Sequence, residues 1–132
     1  MQRADTPGTS RPKILLSEGS STSARQVLYA LGGRYPVGLM DPARLCQCRF
    51  SRWVGKFHRC PSYASEPVEY LKELARLVRR YRYDIVLPTH EQVYLLSRFR
   101  ESLARHVAVA LPDFDALRRM QKKSDFVRIL ES

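Results

Sequence analysis

The chain has few cysteines, only Cys46, Cys48 and Cys60 among 132 residues. So small and odd a number excludes a disulfide-built scaffold. Together with the polar opening "MQRADTPGTSRP", which has no apolar leader, it predicts a reducing, cytoplasmic setting. No apolar run nears the roughly 20 residues needed to cross a bilayer, so no membrane anchor is expected. Glycine is also scarce, with 6 residues. The turn after the first apolar run contains only Gly19, so the three-glycine dinucleotide fingerprint is missing. A P-loop is excluded as well, because that turn has no lysine. Acids are outnumbered, 13 Asp and Glu against 23 Lys and Arg, which leaves a net charge of +10. That balance admits a nucleic-acid partner. The bases, however, are scattered through "ARLVRRYRYD", "SRFRESLARH" and "LRRMQKK", with no zinc finger, helix-turn-helix or RNP signature. Nucleic-acid binding is therefore disfavoured.

What is present is an alternation of short apolar runs with longer amphipathic ones. "KILLS" at 13–17 reads as a buried strand, and Ala24, Val27, Leu28 and Leu31 then share one helical face up to Gly32 and Gly33. "YPVGLMD" is a second strand ending at Asp41, and 42–53 is irregular, with a helical turn expected near 51–54. "KFHRCP" is a short third strand. The clearest helix is "SEPVEYLKELARLVRRY", with Ser65 as cap, Pro67 in the first turn, and Val68, Leu71, Leu74 and Val78 facing inward. "YDIVLP" has the continuous apolar character of a strand buried on both faces. A helix follows from "THEQ", capped by a Thr89–Gln92 box, with Val93, Leu96, Phe99 and Leu103 as its stripe. "VAVALP" is a last strand, and residues 113–132 form one or two helices. This order predicts an α/β, Rossmann-like open parallel sheet of about five strands with helices on both faces. The domain spans 13–120, after a loose lead-in at 1–12. Residues 121–132 carry Phe126, Val127, Ile129 and Leu130 and stop without a Gly or Pro terminator, which predicts a link into a further domain.

In such sheets ligands bind beyond the carboxyl ends of the strands. The turn "SEGSSTS" puts Ser17, Gly19, Ser20 and Ser21 there, and two readings stay open: a helix cap, or contact with a small ligand or anion. "PTHEQ" puts Thr89, His90 and Glu91 past the buried strand, either as a capped helix start or as a substrate-facing group. No nucleophile, base and acid set can be assembled, so no catalytic residue is assigned. "CQC" with His58 and Cys60 raises a zinc site, but the one-residue spacing fits structural zinc poorly, and buried or half-exposed thiols are expected. The basic cluster Arg118, Arg119, Lys122 and Lys123 reads by itself as a solvated face.

Taken in order, these segments resemble the N-terminal, pre-ATP-grasp domain of ATP-grasp ligases, in the carbamoyl-phosphate-synthase-like and carboxylate–amine ligase branches. The resemblance rests on "KILLSEGSSTSARQVLYAL", Asp41 at the second strand end, "CRFSRWVGKFHRCPS", "IVLPTHEQVYLL" and "LPDFDALRRMQKKSDFVRIL". It implies a Rossmann-like domain on the substrate side of an acyl-phosphate-forming ligase, inactive by itself. It also implies ATP and Mg2+ bound mainly by a missing C-terminal ATP-grasp domain, with small carboxylate and amine-type substrates. The lysine of the family's "dK" pair reaches ATP phosphates and matches Lys123, although Lys122 stands where the family has aspartate. Thr89, His90 and Glu91 become substrate-side residues, and the "SEGSSTS" turn faces the acceptor or caps its helix. An exposed interdomain face leaves homodimer formation open. The competing readings are a standalone Rossmann-like nucleotide or small-ligand module and, more weakly, a basic nucleic-acid binder.

Overall fold

A computed structural model describes residues 11–89, 91–105 and 107–109. The elements run β1 (Ile14–Leu16), α1 (Thr22–Leu31), β2 (Val37–Asp41), a 3-10 turn (Gln47–Phe50), β3 (Val54–Arg59), α2 (Pro67–Tyr81), β4 (Ile85–Leu87), α3 (Gln92–Arg98), α4 (Arg100–Ala104) and β5 (Ala108–Val109). The five strands form one sheet in the order β3-β2-β1-β4-β5. Every pairing is parallel. The fold is the expected Rossmann-like α/β sheet.

β1 lies at the centre because all three of its residues are apolar and can be buried on either face. Ile14 pairs with Val37 on one side and with Ile85 on the other. Alternation along the strand then divides the core. Leu15 joins Met40, Tyr70, Leu74, Leu77 and Val86 in one cluster. Ile14 and Leu16 join Ala24, Leu28 and Leu39 in the other. One cluster is covered by α2 and the other by α1, so helices cover both faces. The chain builds β2 and β3 outward from β1 and then returns to place β4 on its other side. This reversal of strand order at β1 and β4 is the place where open parallel sheets usually bind their ligands.

Local details depart from the sequence expectations. The single-turn helix forms at Gln47–Phe50 rather than at 51–54, and β3 starts at Val54. Glu66, not Ser65, precedes the first turn of α2, and its side chain makes no capping bond. Val68 was expected inward but is 60% exposed. The buried stripe of α2 is Tyr70, Leu74, Leu77 and Val78. Val68 precedes Tyr70 by two residues, about 200° around the helix, and so falls outside that stripe. The long helix expected after Thr89 is divided at Phe99, whose φ of −106° and ψ of 20° interrupt it between α3 and α4. Phe99 is correspondingly exposed rather than part of the stripe. Residues 1–10 of the 1–12 lead-in and the helical expectation at 113–132, with its link, lie outside the described residues.

Gly38 in β2 is required by a close approach. A Cβ there would overlap the Tyr83 hydroxyl. That hydroxyl lies 2.7 Å from His58 Nε2. Burial, followed by the charges of Lys56 and Lys13, pushes the His58 imidazole down from 6.5 to about 4. Gly38→Ala is expected to destabilise the fold by about 1–3 kcal/mol, the usual cost of overpacking. Gly55→Ala, whose Cβ would meet only Val37 O at 3.5 Å, should stay within about 0.5 kcal/mol of wild type in urea denaturation. His58 also sets an acid limit. Its folded value lies below its unfolded value, so between 6.5 and about 4 the unfolded chain binds the extra proton. Stability attributable to His58 should therefore fall as pH drops through that window, and His58→Phe should remove this part of the slope.

Candidate functional site

The turn leaving β1 is closed by the chain's own carboxylates. Ser17 is fully buried, and its backbone N–H donates to Leu87 O at 3.2 Å. Its carbonyl accepts the Tyr70 hydroxyl at 2.9 Å, and its Oγ accepts the Thr89 N–H at 3.2 Å. Ser17 thereby joins the ends of β1 and β4 to α2. Glu18, 4% exposed, turns its carboxylate back into the turn. Oε2 accepts the N–H groups of Ser20 at 2.8 Å and Ser21 at 3.0 Å. Oε1 accepts the Ser21 hydroxyl and, at 2.7 Å, the Thr89 hydroxyl. Asp41 at the end of β2 takes the rest: Oδ2 accepts Gly19 N–H at 2.8 Å and the Ser20 hydroxyl at 2.9 Å, and Oδ1 accepts Ala43 N–H at 2.7 Å.

Three consecutive N–H groups, those of Gly19, Ser20 and Ser21, thus point at carboxylates. In a phosphate-binding turn such groups point at the ligand. Burial pushes the Glu18 carboxyl upward, but hydrogen bonds from Ser21, Thr89 and the Ser20 and Ser21 backbone outweigh it. The net shift is downward, and Glu18 is an anion at neutral pH. Gly19 has no room for a side chain, since a Cβ would stand 2.6 Å from Leu39 Cδ2. Ser21 caps α1 by accepting Ala24 N–H at 3.0 Å.

Beside the turn is an open cleft of about 320 Å³, lined by Glu18, Ser20, Asp41, Ser62, Tyr63 and Gln92 among others. Tyr63 donates its hydroxyl to Glu91 Oε2 at 2.7 Å, which links the loop after β3 to the start of α3. That bond raises the Tyr63 phenol to about 12. Gln92 is 4% exposed, and its Oε1 is buried with no donor among the described residues. A larger groove of about 580 Å³ lies between α1 and the 3-10 turn, lined by Arg25, Tyr29, Phe50, Arg52 and Trp53. It lies away from the strand ends of the reversal and holds no unpartnered polar group among the described residues.

Of the residues singled out in the sequence, the structure brings Ser17, Gly19, Ser20, Ser21 and Thr89 together around Glu18 and Asp41. Glu91 joins them through Tyr63. The Thr89–Gln92 capping box does not form, because Thr89 donates to Glu18 and Glu91 precedes α3 without a side-chain cap. His90 and Lys123 lie outside the described residues, as do Arg118, Arg119 and Lys122. Sequence reasoning missed the part played by Glu18. The available signal was an acid directly after the strand, where phosphate turns carry glycine or lysine. Cys46, Cys48 and Cys60 are free and buried. Burial raises all three thiols, Cys60 to about 12. Among the described residues no three His, Cys, Asp or Glu side chains are grouped to hold a metal. No described helix is long and apolar enough to cross a membrane.

Solved structures share this fold. One is the biotin carboxylase domain of a single-chain bacterial carboxylase, with a TM-score of 0.59 at 18% identity. The match covers 91% of this chain and 28% of that one, so this chain spans less than a third of that neighbour's length. No family model matches the chain, and no curated protein matches it in sequence.

Glu18→Gln should destabilise the fold at pH 7 by about 1–2 kcal/mol, the scale of charge-assisted hydrogen bonds that the amide cannot fully replace. The folded carboxyl titrates below its ordinary 4.5. The stabilisation is therefore full above 4.5 and is lost as pH falls through the folded value. Urea melts of the two proteins should converge there.

Proposed function

We propose that this chain is the N-terminal, substrate-side domain of an ATP-grasp ligase and has no ligase activity by itself. The reading is carried by one observation, the Glu18 carboxylate inside the turn after β1. A standalone Rossmann-like nucleotide module would use those N–H groups for phosphate. Here they are hydrogen-bonded to Glu18 and Asp41, and an incoming phosphate would meet two carboxylates. The described residues therefore do not fit the phosphates of ATP, and no step through ATP is assigned to them. The fold shared with a biotin carboxylase domain, a type of ATP-grasp enzyme, supports the same reading. In it, ATP and Mg2+ belong to a further ATP-grasp domain, where a carboxylate substrate becomes an acyl-phosphate that an amine-type nucleophile attacks. This domain contributes the strand ends at the sheet reversal, with Ser17, Gly19, Ser20, Ser21, Thr89, His90 and Glu91 on the substrate side. Lys123 carries the contact toward ATP.

Calorimetric titration of this chain with Mg-ATP should give no binding heat into the millimolar range, and micromolar affinity would overturn the reading. In a polypeptide that also contains the ATP-grasp domain, Lys123→Ala should weaken ATP use by about tenfold or more, the scale of one lost charge-assisted contact. Arg118→Ala should leave ATP use unchanged. If Lys122→Ala rather than Lys123→Ala lowers it, the contact belongs to the neighbouring residue.

A further inference from the structure

The sequence spreads its bases along the chain, but the fold gathers several of them beside exposed rings. The groove between α1 and the 3-10 turn has Tyr29 on its helical side and Phe50 on its turn side. Tyr29 is 57% exposed and Phe50 72%. Two such rings lining one groove form a patch, unlike apolar residues scattered singly over a surface. Trp53 completes the lining. A Cβ at Gly32 would stand 2.7 Å from the Trp53 indole, so the glycine backbone there is what leaves room for the ring.

Each of these rings has a guanidinium over it. Arg25 lies 5.4 Å from the Tyr29 ring centre, Arg52 4.4 Å from that of Trp53, and Arg49 5.6 Å from that of Phe50. A guanidinium resting on a ring uses its flat face and keeps N–H donors at its edge, a geometry that suits phosphate oxygens. Positive charge therefore alternates with aromatic surface, as Arg49, Phe50, Arg52 and Trp53 along the turn and as Arg25 and Tyr29 on α1.

That alternation selects the occupant. An apolar peptide would cover the rings but desolvate guanidinium groups without supplying counter-charge. An acidic peptide supplies carboxylates, but its aromatic residues come irregularly. A single strand of nucleic acid supplies a flat base and a phosphate in every unit. The net charge of +10 draws such a polyanion to the chain.

We propose that this groove binds single-stranded nucleic acid, with bases stacked on Tyr29 and Phe50 and phosphates on Arg25, Arg49 and Arg52. The binding goes beyond the ligase function proposed above and does not depend on it. Linked nucleotides engage the rings together, so a single nucleotide such as ATP binds too weakly here to register in the calorimetric titration.

The test uses the 132-residue chain, whose one tryptophan, Trp53, reports from the groove itself. The probe is oligothymidylate of about 12 nucleotides, within the span of a small single-strand site. It should quench Trp53 fluorescence saturably. Affinity should fall about twentyfold between about 50 and about 200 mM salt, as three neutralised phosphates require. Phe50→Ala and Tyr29→Ala should each weaken binding about tenfold, the scale of one lost base stack. Their urea midpoints should stay at the wild-type value, because both rings are exposed. Arg52→Gln should reduce the salt effect to about sevenfold over the same range, the loss of one phosphate contact. The double variant Arg79→Gln with Arg80→Gln, on α2 across the sheet from the groove, should change affinity by less than about twofold, since distant exposed charges are screened. Weakening by that pair equal to the effect of Arg52→Gln would make the binding a general charge effect. Unchanged affinity in both ring variants would remove the stacking. Tighter binding of poly(Glu,Tyr) than of oligothymidylate would give the groove to an acidic protein. Each of these outcomes, or no saturable quenching at low salt in a chain that unfolds cooperatively in urea, overturns the proposal.

Discussion

A carboxylate placed inside a backbone turn competes with any anion the turn would otherwise bind. Glu18 does this at the one point of the fold where a parallel open sheet usually meets its ligand. The arrangement works only because every donor in reach is used. Ser20 and Ser21 supply N–H groups, and Ser21 and Thr89 supply hydroxyls. A buried carboxylate with fewer partners would protonate or pull the turn open. The composition of the turn follows from that demand: small hydroxyl residues that donate locally, and a glycine where Leu39 and Cys46 leave no space.

The same carboxylate ties distant segments together. Thr89 follows β4, yet it bonds both Glu18 and Ser17, which follow β1. Asp41 follows β2 and bonds Gly19 and Ser20. Three strand ends are thereby fixed around one turn, at the reversal between β1 and β4. Donors are consumed in holding the turn, and the two carboxylates are held by neutral N–H and O–H groups.

The larger groove between α1 and the 3-10 turn contrasts with this in sign. Arg25 and Arg52 lie against the rings of Tyr29 and Trp53. Neither arginine is among the residues lining the cleft beside Glu18 and Asp41. Two regions of opposite charge coexist in a chain whose net charge, read alone, suggests a uniform basic surface.

The α/β class, the strand positions and the clustering of Ser17, Gly19, Ser20, Ser21 and Thr89 at strand ends were legible in the sequence. Apolar periodicity and turn residues are local properties, and an alternation of strands and helices has few ways to fold. The position of Val68 on the exposed side of α2 and the interruption at Phe99 were less legible. Apolar residues there fitted a helical period whose buried side only the packing partners decide. The role of Thr89 was not legible at all. In sequence it reads as a helix cap for residues beside it, whereas its hydroxyl bonds an acid 71 residues away. The sequence by itself determined which segments become strands and that their ends carry small polar residues, because burial and backbone preference act over short spans. Only the tertiary structure decided which acid occupies the turn, because that depends on the strand order β3-β2-β1-β4-β5 bringing Glu18, Asp41 and Thr89 to one point.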